Sequence, residues 1–135
     1  MTPNKYQKAA MRTERPTGLK RFLNFGSGSG KTELLKKEVE ELHNIDRLIN
    51  GLMGLNGEAG EAIDLLKKHL FQGHDLDREH LANELGDVAW YLAISADALG
   101  YSLEEILQMN IDKLKARYPE GFDEDRSVNR EEGDV

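Results

Sequence analysis

The spacing of the apolar residues is the feature that most limits how this chain can fold. From residue 35 to residue 114 they recur three and four positions apart, which is the period of an amphipathic helix. No segment shows the alternation or the β-branched run that is typical of a strand. Because 135 residues are enough for one core, we predict an all-α helical bundle in a single domain. The apolar stripes expected to pack together are Leu35, Val39, Leu42, Ile45, Ile49 and Leu52; Leu55, Ala59, Ala62, Leu66 and Leu70; Leu81, Leu85, Val88, Leu92, Ala96 and Leu99; and Leu103, Ile106, Leu107, Met109, Ile111 and Leu114.

Capping residues mark the expected helix ends. Thr2–Pro3 begins a short N-terminal helix, and Asp77 begins a later helix that should end at Gly100. Residues 102–105 read as a capping box for the last helix, and residues 119–121 should stop it. The caps therefore divide the chain into consecutive helices joined by short turns.

Four glycines, at positions 51, 54, 57 and 60, interrupt the longest helical stretch. Each glycine inside a helix costs about 1 kcal/mol relative to alanine. They indicate either a bend between two helices or a place where something approaches the backbone closely. The pattern leaves open whether the stretch is one long helix or two.

Composition excludes several classes of function. The net charge is -7, with 25 acidic residues against 18 basic ones, so a basic surface for nucleic acid is not expected. A protein this acidic needs metal ions if it is to handle phosphates. Cysteine is absent, which excludes a disulfide framework, a thiol nucleophile and a cysteine-based zinc site. No apolar run has the length of a membrane span, and no secretory signal is evident. We therefore expect a soluble, cytoplasmic protein.

Residues 25–32, Phe-Gly-Ser-Gly-Ser-Gly-Lys-Thr, look like a phosphate-binding loop. In the Walker A pattern, however, Phe25 stands where the first glycine belongs, and no strand pattern precedes the segment. The alternating glycine and serine at 26–30 are typical of a flexible linker. We interpret the tract as a hinge before a helix that Thr32 could cap. The alternative, a P-loop NTPase, predicts that Lys31→Ala abolishes turnover.

Two acidic pairs carry the clearest chemical signal. Glu58 and Glu61 lie three residues apart, as do Glu84 and Asp87, so each pair projects from one face of its helix. If the two helices pack by their apolar stripes, four carboxylates converge and require a compensating cation. With no Cys or His beside them, these oxygens suit Mg²⁺ or Mn²⁺. The alternative is that they are solvated surface charges, but small residues bracket both pairs and leave room for an ion.

The last helix adds polar groups that could serve the same site. Asn110 shares a face with apolar residues, where its amide would be buried without a partner unless it meets a ligand or a neighbour. Lys113 and Arg117 lie four residues apart and could contact phosphates. The alternative for these two cations is ordinary favourable charge near a helix C-terminus.

At these residues the sequence resembles the MazG-like all-α nucleoside triphosphate pyrophosphohydrolases. The pattern of that family is E-E-x-x-E, a spacer, then E-x-x-D. Here it reads Glu58-Ala-Gly-Glu61 and, after 22 intervening residues, Glu84-Leu-Gly-Asp87. The similarity extends from about residue 54 to residue 122, and residues 2–13 at the start of the chain also resemble this family.

The resemblance implies a function and a set of site residues. It implies a homodimer or homotetramer, and Mg²⁺ (or Mn²⁺) held by Glu58, Glu61, Glu84 and Asp87. The implied reaction is attack of a metal-activated water on the α-phosphorus of an NTP or dNTP, giving the monophosphate and pyrophosphate. The resemblance further points to Lys113 and Arg117 as phosphate contacts, Asn110 as a site residue and Tyr91 as a nucleotide contact.

The sequence departs from the family pattern in two places. Gly57 stands where the first glutamate is expected. Residues 25–50 look like an insertion, a glycine-serine joint plus an amphipathic helix, whose natural or engineered origin stays open. We predict one domain over 1–122 and a charged, flexible tail over 123–135. The alternative function is a catalytically inactive or engineered helical binding or oligomerisation module, although an intact set of four carboxylates argues against a lost activity.

Overall fold

The computed structural model describes residues 1–15 and 33–129, with residues 33–36 described by their backbone alone. Its helices are α1 (Pro3–Ala10), followed by a 3-10 turn (Met11–Thr13), α2 (Glu33–Gln72), α3 (Arg78–Ala98), α4 (Leu103–Arg117) and the short α5 (Glu124–Val128). These ranges contain no strand, so the all-α prediction is confirmed. No helix in the described part of the chain is long and apolar enough to cross a membrane.

The predicted capping residues account for the helix ends. The Asp77 carboxylate accepts a hydrogen bond of 2.9 Å from a backbone N–H in the first turn of α3. Ser102 and Glu105 form the capping box of α4, in which each side chain accepts a bond from the backbone N–H of the other. Gly73 and Gly100 follow α2 and α3 with φ values of 74° and 79°. Glycine adopts these left-handed conformations without steric strain.

Several predictions fall partly or wholly outside the described residues. The glycine-serine tract, Lys31 and the possible cap Thr32 all lie outside them. The helix expected after the tract is present from residue 33 and continues directly into the rest of α2. The domain over 1–122 and the flexible tail over 123–135 stay predictions; α5, capped by the Asp123 side chain, lies within that tail.

The four glycines lie within one long helix, because α2 runs unbroken for 40 residues. Two of them mark a close approach to α3. A Cβ added at Gly51 would overlap the Ser95 hydroxyl, and a Cβ added at Gly54 would overlap the ring of Tyr91. At the other two glycines a Cβ would meet nothing within 4 Å. Gly51 and Gly54 therefore let the backbones of α2 and α3 pack closely.

We expect Gly54→Ala to lower the free energy of unfolding by about 1–2 kcal/mol. Displacing the Tyr91 ring costs about 1–3 kcal/mol, which exceeds the gain in helix propensity of at most about 1 kcal/mol. Gly60→Ala is the matched control, since its Cβ enters open space and should stabilise the protein. Urea denaturation at one protein concentration measures both.

The same substitution in a Tyr91→Ala background tests whether the ring contact causes the loss of stability. There the ring is gone, so Gly54→Ala should become neutral or stabilising. If Gly54→Ala destabilised both backgrounds equally, the ring contact would not be the cause.

The apolar core of the described residues is small. Its buried apolar side chains are Ala10, Ala93, Ile94, Ala96, Ala98 and Leu103. Four members of the stripe that we expected to face the core on the first half of α2 are instead exposed, while Val39 is half-buried. The exposed members are Leu42, Ile45, Ile49 and Leu52. That prediction is wrong for the single chain. α3 packs on a different face of α2, where Arg47 and Gly51 are buried, because glycine allows the closer backbone approach.

Buried polar groups attach the N-terminal segment to the bundle. The Gln7 amide donates a hydrogen bond to the Tyr101 carbonyl at 3.0 Å and accepts one from the Leu103 N–H at 2.8 Å. Farther along, Arg47 of α2 binds the Glu14 carboxylate through two nitrogens, at 2.6 and 2.7 Å, and also contacts Asp97 of α3 at 2.7 Å. These contacts hold α1 against α3 and the start of α4.

Candidate metal centre

Three carboxylates meet where α2 passes α3. Glu58 lies on α2, and Glu84 and Asp87 lie one turn apart on α3. Each offers an oxygen, and the three oxygens lie within 4.8 Å of one another. Glu84 is buried, with 7% of its surface exposed, whereas Asp87 is exposed. The antiparallel packing of the two helices thus brings together residues that are far apart in sequence.

The charges at this point disfavour ionisation of Glu58. Its pKa is raised above the ordinary value, first by burial and then by the neighbouring charges of Glu61, Asp87 and Glu84. Glu61 is exposed and is not one of the three grouped oxygens, although it is close enough to add to this repulsion. The structure therefore brings three of the four predicted carboxylates together and places the fourth beside them.

The arrangement fits a divalent cation. Carboxylate oxygens are the ligands that Mg²⁺ and Mn²⁺ prefer, and mutual repulsion is the electrostatic situation that a cation relieves. The small residues beside the cluster leave space: a Cβ at Gly57, Gly60 or Gly86 would meet nothing within 4 Å. Gly57, where the family pattern has a glutamate, is exposed and adds no carboxylate to the cluster.

His80 corrects one premise of the sequence analysis, that no histidine lies beside the carboxylates. Its Nε2 is 2.9 Å from Oε1 of Glu84. The two residues lie four apart on α3, so the i,i+4 spacing could have revealed the contact. His80 is about half exposed, and it holds the buried Glu84 carboxylate in one orientation.

Tyr6 of α1 also lies beside the cluster. Its hydroxyl donates a hydrogen bond to the Gly86 carbonyl at 3.3 Å. Burial and, after it, the charge of Asp87 raise the pKa of this phenol. The sequence carries no signal for the contact, because 80 positions separate the two bonded residues.

The profile of the MazG nucleotide pyrophosphohydrolase domain matches residues 48–122, which include all four predicted carboxylates. This chain belongs to the MazG family. The family comprises metal-dependent hydrolases that act on the phosphoric anhydrides of nucleoside triphosphates.

One relative supports the assignment. The chain is 39% identical to the Gene 37 protein of Mycobacterium phage L5 over 82 residues, which is 58% of this chain and 72% of that protein. Its name states no activity. No solved structure matches this chain. The MazG match begins at residue 48, so α1 and the first turns of α2 precede it.

Tyr91 is a predicted nucleotide contact. It lies on α3, one turn beyond Asp87. Its ring packs against α2 at Gly54 and meets the Trp90 ring edge to face, with 4.9 Å between centroids. It is half-buried. Its position allows a contact beside the carboxylates, and its predicted role with the nucleotide stays a prediction.

The three candidates on α4 lie beyond the first turn of that helix, where its described hydrogen bonds to α1 are made. We expected the Asn110 amide to be buried, but it is exposed, as are Leu107 and Leu114 on the same face. That expectation is wrong because the described contacts of α4 with α1 run through its first turn. Lys113 is exposed, and the Arg117 guanidinium lies 5.9 Å from the centroid of its neighbour's ring.

A cation that the sequence analysis did not single out lies nearer to the acidic residues. Lys68 of α2 binds Asp64 at 2.7 Å. The pKa of Lys68 is raised, mainly by this bond and also by the charge of Glu61. Lys67 also binds Asp64, and the two lysines lower the pKa of that carboxyl to about 2. The Lys68 ammonium therefore lies near Glu61.

Proposed function

We propose that this protein is a Mg²⁺-dependent nucleoside triphosphate pyrophosphohydrolase. It cleaves an NTP or dNTP at the α-phosphorus and releases the monophosphate and pyrophosphate, and Mn²⁺ can replace Mg²⁺. The observation that carries the proposal is the convergence of Glu58, Glu84 and Asp87 beside open space. This convergence lies inside the segment that matches a family of nucleotide pyrophosphohydrolases.

The carboxylates would hold the cation, with Glu61 at its edge. A bound divalent cation neutralises phosphate charge and lowers the pKa of water, so that hydroxide is available for attack. His80 orients Glu84, and Tyr91 offers an aromatic face one turn away for the nucleotide. Lys113, Arg117 and Asn110 are proposed to contact the phosphates; they require either a movement of α4 or a second copy of the chain.

Self-association follows from the small core. The apolar faces of α2 and α4 are exposed in the described chain, among them Ile49, Leu52, Leu107 and Ile111. Apolar surface of this extent marks an interaction site. We therefore propose a homodimer or homotetramer, to be tested by light scattering across a range of protein concentrations. A mass of one chain at all concentrations would contradict the proposal.

The decisive test is to identify the products. The protein is incubated with a panel of NTPs and dNTPs plus Mg²⁺, and the products are separated by chromatography. Monophosphate and pyrophosphate would support the proposal, and Lys31→Ala should then change little. Diphosphate and phosphate would contradict it and favour the loop around Lys31. No product from any nucleotide, with an active control enzyme in parallel, would favour the binding module.

A further inference from the structure

The N-terminal helix reaches the metal centre although it lies outside the MazG match. Tyr6 is the residue of α1 that does so, through the 3.3 Å bond from its hydroxyl to the Gly86 carbonyl. Gly86 immediately precedes Asp87, which is the exposed member of the three grouped carboxylates. The N-terminal segment thus forms one side of the site.

The ring of Tyr6 is held in place from several directions. It packs against the core formed by Ala10, Ala93 and Leu103. Side chains on either side of Tyr6 tie α1 to α4. Two positions before it, Asn4 exchanges two hydrogen bonds with Glu104, at 2.6 and 3.1 Å, and one position after it, Gln7 binds the N–H of Leu103 at the start of α4. The hydroxyl is therefore a fixed donor.

The helical turn that carries Asp87 faces solvent, since Gly86 and Asp87 are both exposed on α3. A Cβ at Gly86 would meet nothing within 4 Å, so the Tyr6 hydroxyl reaches the carbonyl at an open position of the helix surface. A backbone carbonyl has two lone pairs, and the Gly86 carbonyl can accept the Tyr6 hydroxyl in addition to its helical bond. The Tyr6 bond therefore ties the backbone next to Asp87 to α1.

We propose that Tyr6 is a positioning residue that fixes Asp87 for metal binding by holding the Gly86 carbonyl. This proposal rests on the metal site of the proposed function. If the Tyr6 hydroxyl only stabilised the fold, its removal would lower stability and leave the metal affinity of the folded protein unchanged. A positioning role affects the metal affinity of protein that is fully folded.

The test is a Mn²⁺ titration of the full chain, without nucleotide, by calorimetry and by electron paramagnetic resonance of the free ion. Tyr6→Phe keeps the ring and removes the hydroxyl. It should weaken Mn²⁺ binding by roughly three- to tenfold, the effect of losing one neutral hydrogen bond that holds the backbone next to a ligand rather than the ligand itself. Tyr101→Phe is the matched control: Tyr101 is exposed, and its described hydrogen bond uses the carbonyl. It should bind as the wild type does.

The outcomes separate the two proposals. If the wild type binds Mn²⁺ and Tyr6→Phe binds it equally well, the positioning role is overturned and the metal site stands. If Tyr6→Phe no longer folds, as seen by circular dichroism, the hydroxyl serves stability and the positioning role is again overturned. If the wild type binds no Mn²⁺, the metal site fails and this proposal fails with it.

Discussion

Glu84→Gln should abolish pyrophosphate release while the helical fold is retained. Glu84 is the buried member of the three carboxylates, and an amide keeps its size but removes its charge. Loss of a residue that supports a metal ligand commonly costs 10- to 100-fold in activity, so loss of a ligand itself should cost at least about a hundredfold. Release of pyrophosphate from the best nucleotide of the panel, at saturating Mg²⁺, measures the effect.

Two controls make this result specific to the site. Glu79→Gln lies on the same helix, is exposed and stands outside the cluster, so it should retain wild-type activity. The free energy of unfolding of metal-free Glu84→Gln should stay within about 1 kcal/mol of the wild type. The substitution removes one repelling charge from the cluster, and this gain in stability offsets the loss from a weaker contact with His80. Activity that survived in Glu84→Gln would show that these carboxylates do not carry the reaction.

Arg47→Met should lower the free energy of unfolding by about 3 kcal/mol. This value is the lower end of the range for breaking a buried ion pair, chosen because the Asp97 side chain is 43% exposed and partly screened. The substitution leaves the largely buried Glu14 carboxylate without its cation. The pKa of Arg47 is raised above its ordinary value, chiefly by the hydrogen bond to Glu14, so the charged form is the one that the fold stabilises. Urea denaturation of metal-free protein provides the measurement.

A second substitution tests the cause. Glu14→Gln added to Arg47→Met removes the stranded charge and should restore part of the lost stability. Arg78→Met, on an exposed residue of α3, should change stability by no more than about 0.5 kcal/mol. Equal stability of Arg47→Met and the wild type would mean that the ion pair only offsets its own desolvation.

The ion pair between Arg47 and Glu14 also affects the candidate metal centre. Arg47 precedes the MazG match and connects the end of the N-terminal segment to α2 and α3. The same segment carries Tyr6. Loosening it should therefore weaken Mn²⁺ binding as well as stability, whereas Gly54→Ala acts on the α2–α3 packing directly.

Local patterns were sufficient to predict most helix ends, although they left open whether α2 is one helix or two and placed α5 in a flexible tail. The cap at Asp77, the box at Ser102 and the glycine after α3 were read correctly because capping depends on hydrogen bonds within a few residues. The two acidic pairs were also identifiable, since i,i+3 spacing puts both members on one helix face. The roles predicted for these residues await the experiments above.

The sequence by itself determined the all-α class, the helix ends and which acidic residues share a helix face, because each of these depends on neighbours along the chain. Only the tertiary structure decided which faces meet. Helical periodicity identifies an apolar face without its partner, so Ile49 and Asn110 were expected to be buried and are exposed. The grouping of Glu58 with Glu84 and Asp87, and the approach of Tyr6, depend on how separate helices pack. That packing is set by the close contacts that Gly51 and Gly54 permit, which are interactions between residues distant in sequence.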